Sequence, residues 1–373
     1  MRIGIVGGGI GGLTAALALR GRHDVTLFEA APAFAPVGAG IVLAPNAVAC
    51  LAQVRVDVGS LGVELPAVEL RRSDDRLLTA SPAAAHRHAL GPTLGCARSD
   101  VHAALVATLG ASVELRLGAA VTAVDPAAPA VSIAGGAPER FDVVVGADGL
   151  HSPSRLAHGG GDLRYSGDTC WRGFAANPGI QEAIEWWGPR SRIGLVPVPE
   201  GRVYYFLVRA APEGQSGDTG LDEVREVFAG FPPPAAAVVD ALIEAPPLHH
   251  DLCELEAPVW GSPTLPLLGD AAHAMTPNLG QGAAMAIEDA VVLGRVLGED
   301  RGLDAAFSSY VDARHDRVRG IQLDARRLGG LSRVRGPLSR RIRDLALGLT
   351  PDRATRRRFD QVALGGPAEP RPA

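Results

Sequence analysis

Lysine is absent from the 373 residues, so every basic side chain other than histidine is one of 36 arginines. With alanine abundant beside 46 glycines and 29 prolines, the bias is that of a GC-rich coding sequence and carries no function. A net charge of -5 gives no global attraction to nucleic acid or to an anionic membrane. Cysteine is scarce. Cys50, Cys96, Cys170 and Cys253 form no CxxC or CxxxxC pair, which excludes a zinc ribbon and a redox disulfide and predicts buried thiols in a reducing cytosol. Long hydrophobic runs are also missing. The apolar start, residues 3–19, is broken by Gly7, Gly8, Gly9, Gly11 and Gly12, and no later stretch reaches the roughly 20 residues of a bilayer span. A cytoplasmic protein without a membrane segment is expected. There is no GxSxG nucleophile elbow, no metal-ligand cluster, no internal repeat and no second GxGxxG.

What is present is a chain 47% hydrophobic, long enough for two or three domains. Residues 2–6 read as a short buried strand, 13–19 as a helix and 25–28 as a second strand, a βαβ unit. Residues 141–146 and 264–268 read as further strands and 283–297 as a helix, all belonging to one α/β, Rossmann-like domain with a parallel sheet. Residues 165–208 are rich in aromatic and β-branched types, with hairpin punctuation at Pro199-Glu200-Gly201, which suits an antiparallel sheet. The expected division is therefore a discontinuous nucleotide-binding domain over 1–75, 95–160 and 262–300. A substrate domain takes 76–94 and 161–261, C-terminal helices 301–364, and a disordered tail 365–373. The arginine-rich C-terminal stretch is either a docking face or a solvated helix surface.

Gly7-Gly8-Gly9-Ile10-Gly11-Gly12 follows a strand and opens a helix, and Glu29 ends the next strand. Glycines let the backbone approach a pyrophosphate, the helix N-terminus supplies partial positive charge, and the carboxylate can accept from a ribose diol. The pattern does not distinguish NAD from FAD. Two later motifs do. Residues 142–149, Asp-Val-Val-Val-Gly-Ala-Asp-Gly, continue to Ser152 and Arg155, and Gly269-Asp270-Ala271-Ala272-His273 is followed by Pro277, Gly280, Gln281 and Gly282. Together these resemble the DG and GD signatures of class A flavoprotein monooxygenases, the p-hydroxybenzoate hydroxylase family. The resemblance runs from Arg2 to about Arg319 and includes residues 36–41, Pro45-Asn46 and Arg98.

That resemblance implies a p-hydroxybenzoate hydroxylase-type fold and FAD contacts from Gly7, Gly9, Gly11, Gly12, Glu29, Ala30, Gly40, Val42, Arg98, Val121, Asp148, Asp270, Pro277, Gly280, Gln281, Gly282 and Ala283. Asp270 would accept from ribityl hydroxyls, or only cap a turn. Gly280 and Gly282, ahead of a long helix, would offer amides and a helix dipole to the flavin's pyrimidine edge, where negative charge gathers on reduction. Arg98 would reach the pyrophosphate or make a surface salt bridge. With no second dinucleotide motif, NADH or NADPH would bind transiently at a cleft, and Asp148 and Arg155 would serve FAD, the nicotinamide donor, or a tight turn. The implied reaction uses NAD(P)H and dioxygen to hydroxylate an aromatic or heteroaromatic substrate through a flavin hydroperoxide. A monomer or homodimer would suffice.

Substrate candidates are Trp171-Arg172-Gly173, Arg192, Tyr204 and Phe206, the aromatics being equally readable as sheet core. The stretches 192–198 and 201–204 are similar to the urate-hydroxylating members, in which the matching arginine and tyrosine assist catalysis, so Arg192 and Tyr204 are the catalytic candidates. Arg172 stands where those members carry asparagine. A cation there suits a carboxylate or phenolate, or it points outward to an acidic partner. His273 either shuttles protons or packs beneath the cofactor. Two other readings compete: another flavin oxidoreductase of the superfamily, and a flavin-binding protein without turnover.

Overall fold

The computed structural model describes residues 1–35, 39–81, 91–215, 221–240, 247–350, 360–362 and 367. Residues 36–38 of the motif, the His86-Arg87-His88 loop and most of the 365–373 tail lie outside the described residues.

Four parallel strands form the nucleotide sheet in the order Val143–Gly146, Arg2–Val6, Asp24–Phe28 and Val113–Arg116. The first three are short, largely apolar and buried on both faces, the pattern of a sheet covered by helices, while the edge strand Val113–Arg116 carries Glu114 and Arg116. Helix Ile10–Leu19 lies against helix Gly282–Leu297 at a distance only small residues allow. A Cβ on Gly11 would meet Ala286 Cβ at 3.2 Å, and one on Gly294 would meet Ala18 Cβ at 2.6 Å. The strand expected over 264–268 is reduced to Leu265–Pro266, paired with Gly261–Ser262, plus one parallel bridge from Leu267 to Gly146. A tight turn at Gly261, φ +84°, spends the neighbouring residues on a hairpin.

The second layer is a seven-stranded sheet ordered Leu248–Leu255, Leu163–Ala176, Arg202–Ala210, Ser191–Val198, Ala183–Trp187, Val68–Arg72 and Leu77–Ser81. All pairings are antiparallel except that of Ala183–Trp187 with Val68–Arg72. The chain therefore enters this sheet at Val68, inside the segment assigned from sequence to the nucleotide-binding part. The hairpin at 199–201 forms as expected, with Glu200 and Gly201 both at φ 65°, the left-handed twist that matches strand twist. Helices Leu303–Ser332 and Pro337–Gly348 complete the C-terminal part. Among the described residues no helix is long and apolar enough to cross a membrane.

Candidate active site

Between the two sheets runs a groove of about 590 Å³, within the size range of cofactor and ligand sites. Its cofactor side is built from Gly9, Ile10, Gly11, Gly40, Val42, Arg98, Asp270, Pro277, Gly280, Gly282 and Ala283. The strand-to-helix turn is fixed by backbone contact. Gly7 sits at φ +106°, and a Cβ on Gly12 would stand 1.9 Å from Gly7 O. Glu29 accepts from Gly8 N at 2.8 Å and from Ala31 N at 2.8 Å, so each carboxylate oxygen keeps a lone pair for another donor. His102, which the motifs did not flag, braces the same turn through Gly8 O at 2.8 Å.

The turn is open to the groove at Gly9. A Cβ on Gly9 would find nothing within 4 Å, and the helix it caps has no side-chain cap, which leaves first-turn amides for an anion. The side chains of Arg98 and Asp270 are exposed on the groove and make no hydrogen bond or ion pair with any described residue. Gly280 takes the left-handed conformation, φ 62° and ψ 20°, ahead of the uncapped N-terminus of helix Gly282–Leu297. A dinucleotide carrying a diphosphate, hydroxyls and an anion-prone ring fits this donor set.

Other sequence candidates turn elsewhere. Asp148 accepts from the Ser152 hydroxyl and from Ser154 N at 2.9 Å. Arg155, 2% exposed, donates to Ala271 O at 3.1 Å and Leu150 O at 2.6 Å. Arg155 thereby ties the DG segment to the GD segment, while Asp148, half-buried, is engaged within the DG segment itself. Gln281 is buried and accepts from Asn46 Nδ2 at 3.2 Å. Ala30 is exposed beside the groove and Val121 opens a strand of a separate three-stranded sheet, so neither lines it. His273 is bound to Asp289 Oδ2 at 2.5 Å and 1% exposed, a packing role beneath the cofactor side.

Cys170, Arg172, Tyr204, Phe206, Val208 and the strand Leu248–Leu255 form the substrate side. Among the described residues the Arg172 side chain makes one hydrogen bond, Nε to Cys170 Sγ at 3.3 Å, and no ion pair. Burial raises the Tyr204 hydroxyl's pKa against the pull of Arg172, so it stays protonated at neutral pH. Burial, then Arg172 and His249, hold His250 down at about 4, the Asp251 carboxylate opposing, and His250 is neutral at pH 7. His250 was not legible beforehand. Its strand begins Leu-His-His-Asp, which lacks the β-branched alternation that marks a strand.

Arg192 also lines the groove, but it is 3% exposed and its ends are taken. It donates to Glu185 Oε1 at 3.1 Å and Asn278 Oδ1 at 2.5 Å, and Asp168 lies 4.0 Å away. Asn278 in turn donates to Ala325 O at 2.8 Å. Arg192 thus bolts the substrate sheet to the loop that ends at Gly280. Substituting Arg192 with methionine is expected to lower stability by about 3 kcal/mol, because Glu185 loses its cation and Asp168 keeps only Arg333. A urea midpoint unchanged from wild type would refute that role.

The fold and this groove define an FAD-dependent oxidoreductase. The chain belongs to the FAD binding domain family, whose model matches residues 1–323, and it is one of the family's FAD-dependent monooxygenases. It is 35% identical over 344 residues to an aurachin C monooxygenase/isomerase of Stigmatella aurantiaca, covering 87% of this chain and 88% of that one. It is 32% identical to the FAD-dependent urate hydroxylase of Klebsiella pneumoniae, covering 88% and 89%. The crystal structure of Klebsiella pneumoniae HpxO with FAD and uric acid superposes with a TM-score of 0.85 at 28% identity, covering 98% and 97%.

Proposed function

We propose that this monooxygenase takes a planar aromatic or heteroaromatic substrate bearing an acidic group, uric acid or a phenolic acid being the leading cases, and seats that group at Arg172. The observation that carries the proposal is the guanidinium itself. A half-buried cation facing a groove, which among the described residues bonds a thiol and forms no ion pair, Asp270 acting on it from beyond ion-pair distance, has lost water without gaining a paired counter-charge, and an anionic ligand supplies one. Tyr204 and neutral His250 flank it as hydrogen-bonding groups that add no charge. Phe206, Val208 and Leu252 form an apolar wall that excludes water from the ring.

The chemistry supplied by bound FAD is acceptance of two electrons from NADH or NADPH and activation of dioxygen for transfer of one oxygen atom to the substrate. The protein's part is orientation. Arg98 and Asp270 face the cofactor side, Arg172 and Tyr204 the substrate side, and Arg192 holds the wall between them. Tyr204, within reach of the ring, is the residue we assign to handling the substrate proton; Arg192 acts through Asn278. Four cysteines with no disulfide suit a cytoplasmic setting.

The test is NADH and NADPH consumption by the FAD-loaded protein with uric acid, aurachin C and a panel of phenolic acids, each acid beside a neutral analogue. Arg172→Met is expected to raise KM for the acidic substrate 10- to 100-fold while leaving the flavin absorbance unchanged, on the scale of one charge-assisted hydrogen bond. Equal effects on acidic and neutral substrates would overturn the assignment of Arg172.

A further inference from the structure

The helix Pro337–Gly348 is turned the wrong way round for a solvated surface. Leu338, Ile342, Leu345 and, just past its end, Leu349 share one face, while Leu347 is half-buried on the other. These four are 69%, 61%, 61% and 71% exposed. The opposite face is the buried one. Arg343, 6% exposed, lies over the Trp187 ring at 5.1 Å and donates to Leu331 O at 3.3 Å. The inner face thus holds Arg343 and Leu347, and four aliphatic side chains lie outside, which is costly in water unless something covers the stripe.

Charge indicates what covers it. Residues 333–358 contain nine arginines against two aspartates, Asp344 and Asp352, while the whole chain carries -5. The net charge hides a strongly basic C-terminal stretch on an otherwise acidic molecule. Arg335, Arg340 and Arg341, beside the stripe, form no ion pair with a described residue; Arg340 donates only to the Gly336 carbonyl. A second copy of the chain is the weaker occupant on two counts. Four aliphatic side chains offer on the order of 100 Å² each, about half of the roughly 800 Å² each partner buries in a standard interface. A two-fold axis through the helix would also bring the arginines of the two copies together.

We propose that helix Pro337–Gly348 is a membrane-surface element that lies in the headgroup region of an anionic phospholipid bilayer, with Leu338, Ile342, Leu345 and Leu349 inserted and the flanking arginines on the phosphates. An apolar stripe bordered by arginines is the combination that binds such surfaces, the stripe through burial and the cations through Coulomb attraction. The helix also rests, through Arg343 and Trp187, on Glu185, a groove-lining residue that accepts from Trp187 Nε1 at 2.8 Å. Docking would thus place the edge of the substrate sheet against the bilayer.

The test uses the full-length, FAD-loaded protein and sedimentation with vesicles of phosphatidylcholine, alone or mixed equally with phosphatidylglycerol. Binding at least 10-fold tighter to the mixed vesicles is expected. The paired substitution Ile342→Glu with Leu345→Glu should lower that binding at least 10-fold while flavin absorbance and melting temperature stay as in the wild type. Arg341→Glu should weaken it at low salt and matter less at high salt. Equal binding to both vesicle types, or a paired variant that sediments like wild type, would overturn the proposal. So would light scattering that shows a dimer split by the same pair and no vesicle binding, which would make the stripe an interface between copies.

Discussion

Replacing Arg314 with methionine is expected to destabilise the protein by about 3–5 kcal/mol, the range for removing one partner of a buried ion pair. Arg314 is fully buried on helix Leu303–Ser332 and bridges neighbours on helix Gly282–Leu297, with Nε 2.7 Å from Asp289 Oδ1 and Nη1 2.5 Å from Glu288 Oε2. Arg317 and Asn46 share Glu288, and His273 and the Gly269 amide share Asp289. Burial raises the Asp289 pKa, but His273, Arg314 and the Gly269 amide outweigh it and hold it down at about 2. A carboxyl lowered this way adds stability above its unfolded pKa near 4, and that share is lost as pH falls from about 4 to 2. Without Arg314 the two carboxylates become costly to ionise. The variant's deficit should therefore be largest at neutral pH and shrink as acid protonates them. Urea unfolding at pH 7 and pH 4.5 checks both parts; a deficit below 1 kcal/mol at pH 7 would show that the network does not depend on this arginine.

The second large effect separates two glycines of one motif. Gly12→Ala is expected to abolish FAD binding and damage the fold, because its Cβ would fall 1.9 Å from the Gly7 carbonyl oxygen, which is backbone and cannot swing aside. Gly9→Val is expected to leave stability within about 0.5 kcal/mol, as for changes that touch no packed feature. A Cβ there would meet no protein atom within 4 Å, and the side chain it carries would extend into groove space. FAD affinity should nonetheless fall at least 100-fold. Titration of each apoprotein with FAD, beside its urea curve, distinguishes the cases, and a Gly9→Val protein that purifies fully yellow would remove the diphosphate from that turn.

The nucleotide half was legible because its signals are local: a short apolar run, five glycines and an acid at the end of the next strand lie within residues 2–29. The substrate half depends on pairings between distant segments. Val68–Arg72 looks too charged for a strand, yet it pairs in parallel with Ala183–Trp187, its Arg71 held by Glu69 at 2.7 Å. Arg192 was identified by position but not by partner, since nothing in its own segment announces Asn278, 86 residues away. Arg314 was hidden for the same reason. A buried arginine and a solvated one look alike in an arginine-rich helix. Arg172 was recognised as cationic, and only the three-dimensional surroundings show that it forms no ion pair with a described residue.

The four strands of the parallel sheet come from residues 2–6, 24–28, 113–116 and 143–146, whereas the glycines that close the cofactor groove stand at 280 and 282. On a ribosome adding about 5–20 residues per second, roughly 15–55 s pass between the first strand and the last wall of that groove. During this interval the first glycine turn has no partner across the groove. A groove lined by these residues is therefore complete only once Gly282 has been made, well after the early βαβ unit.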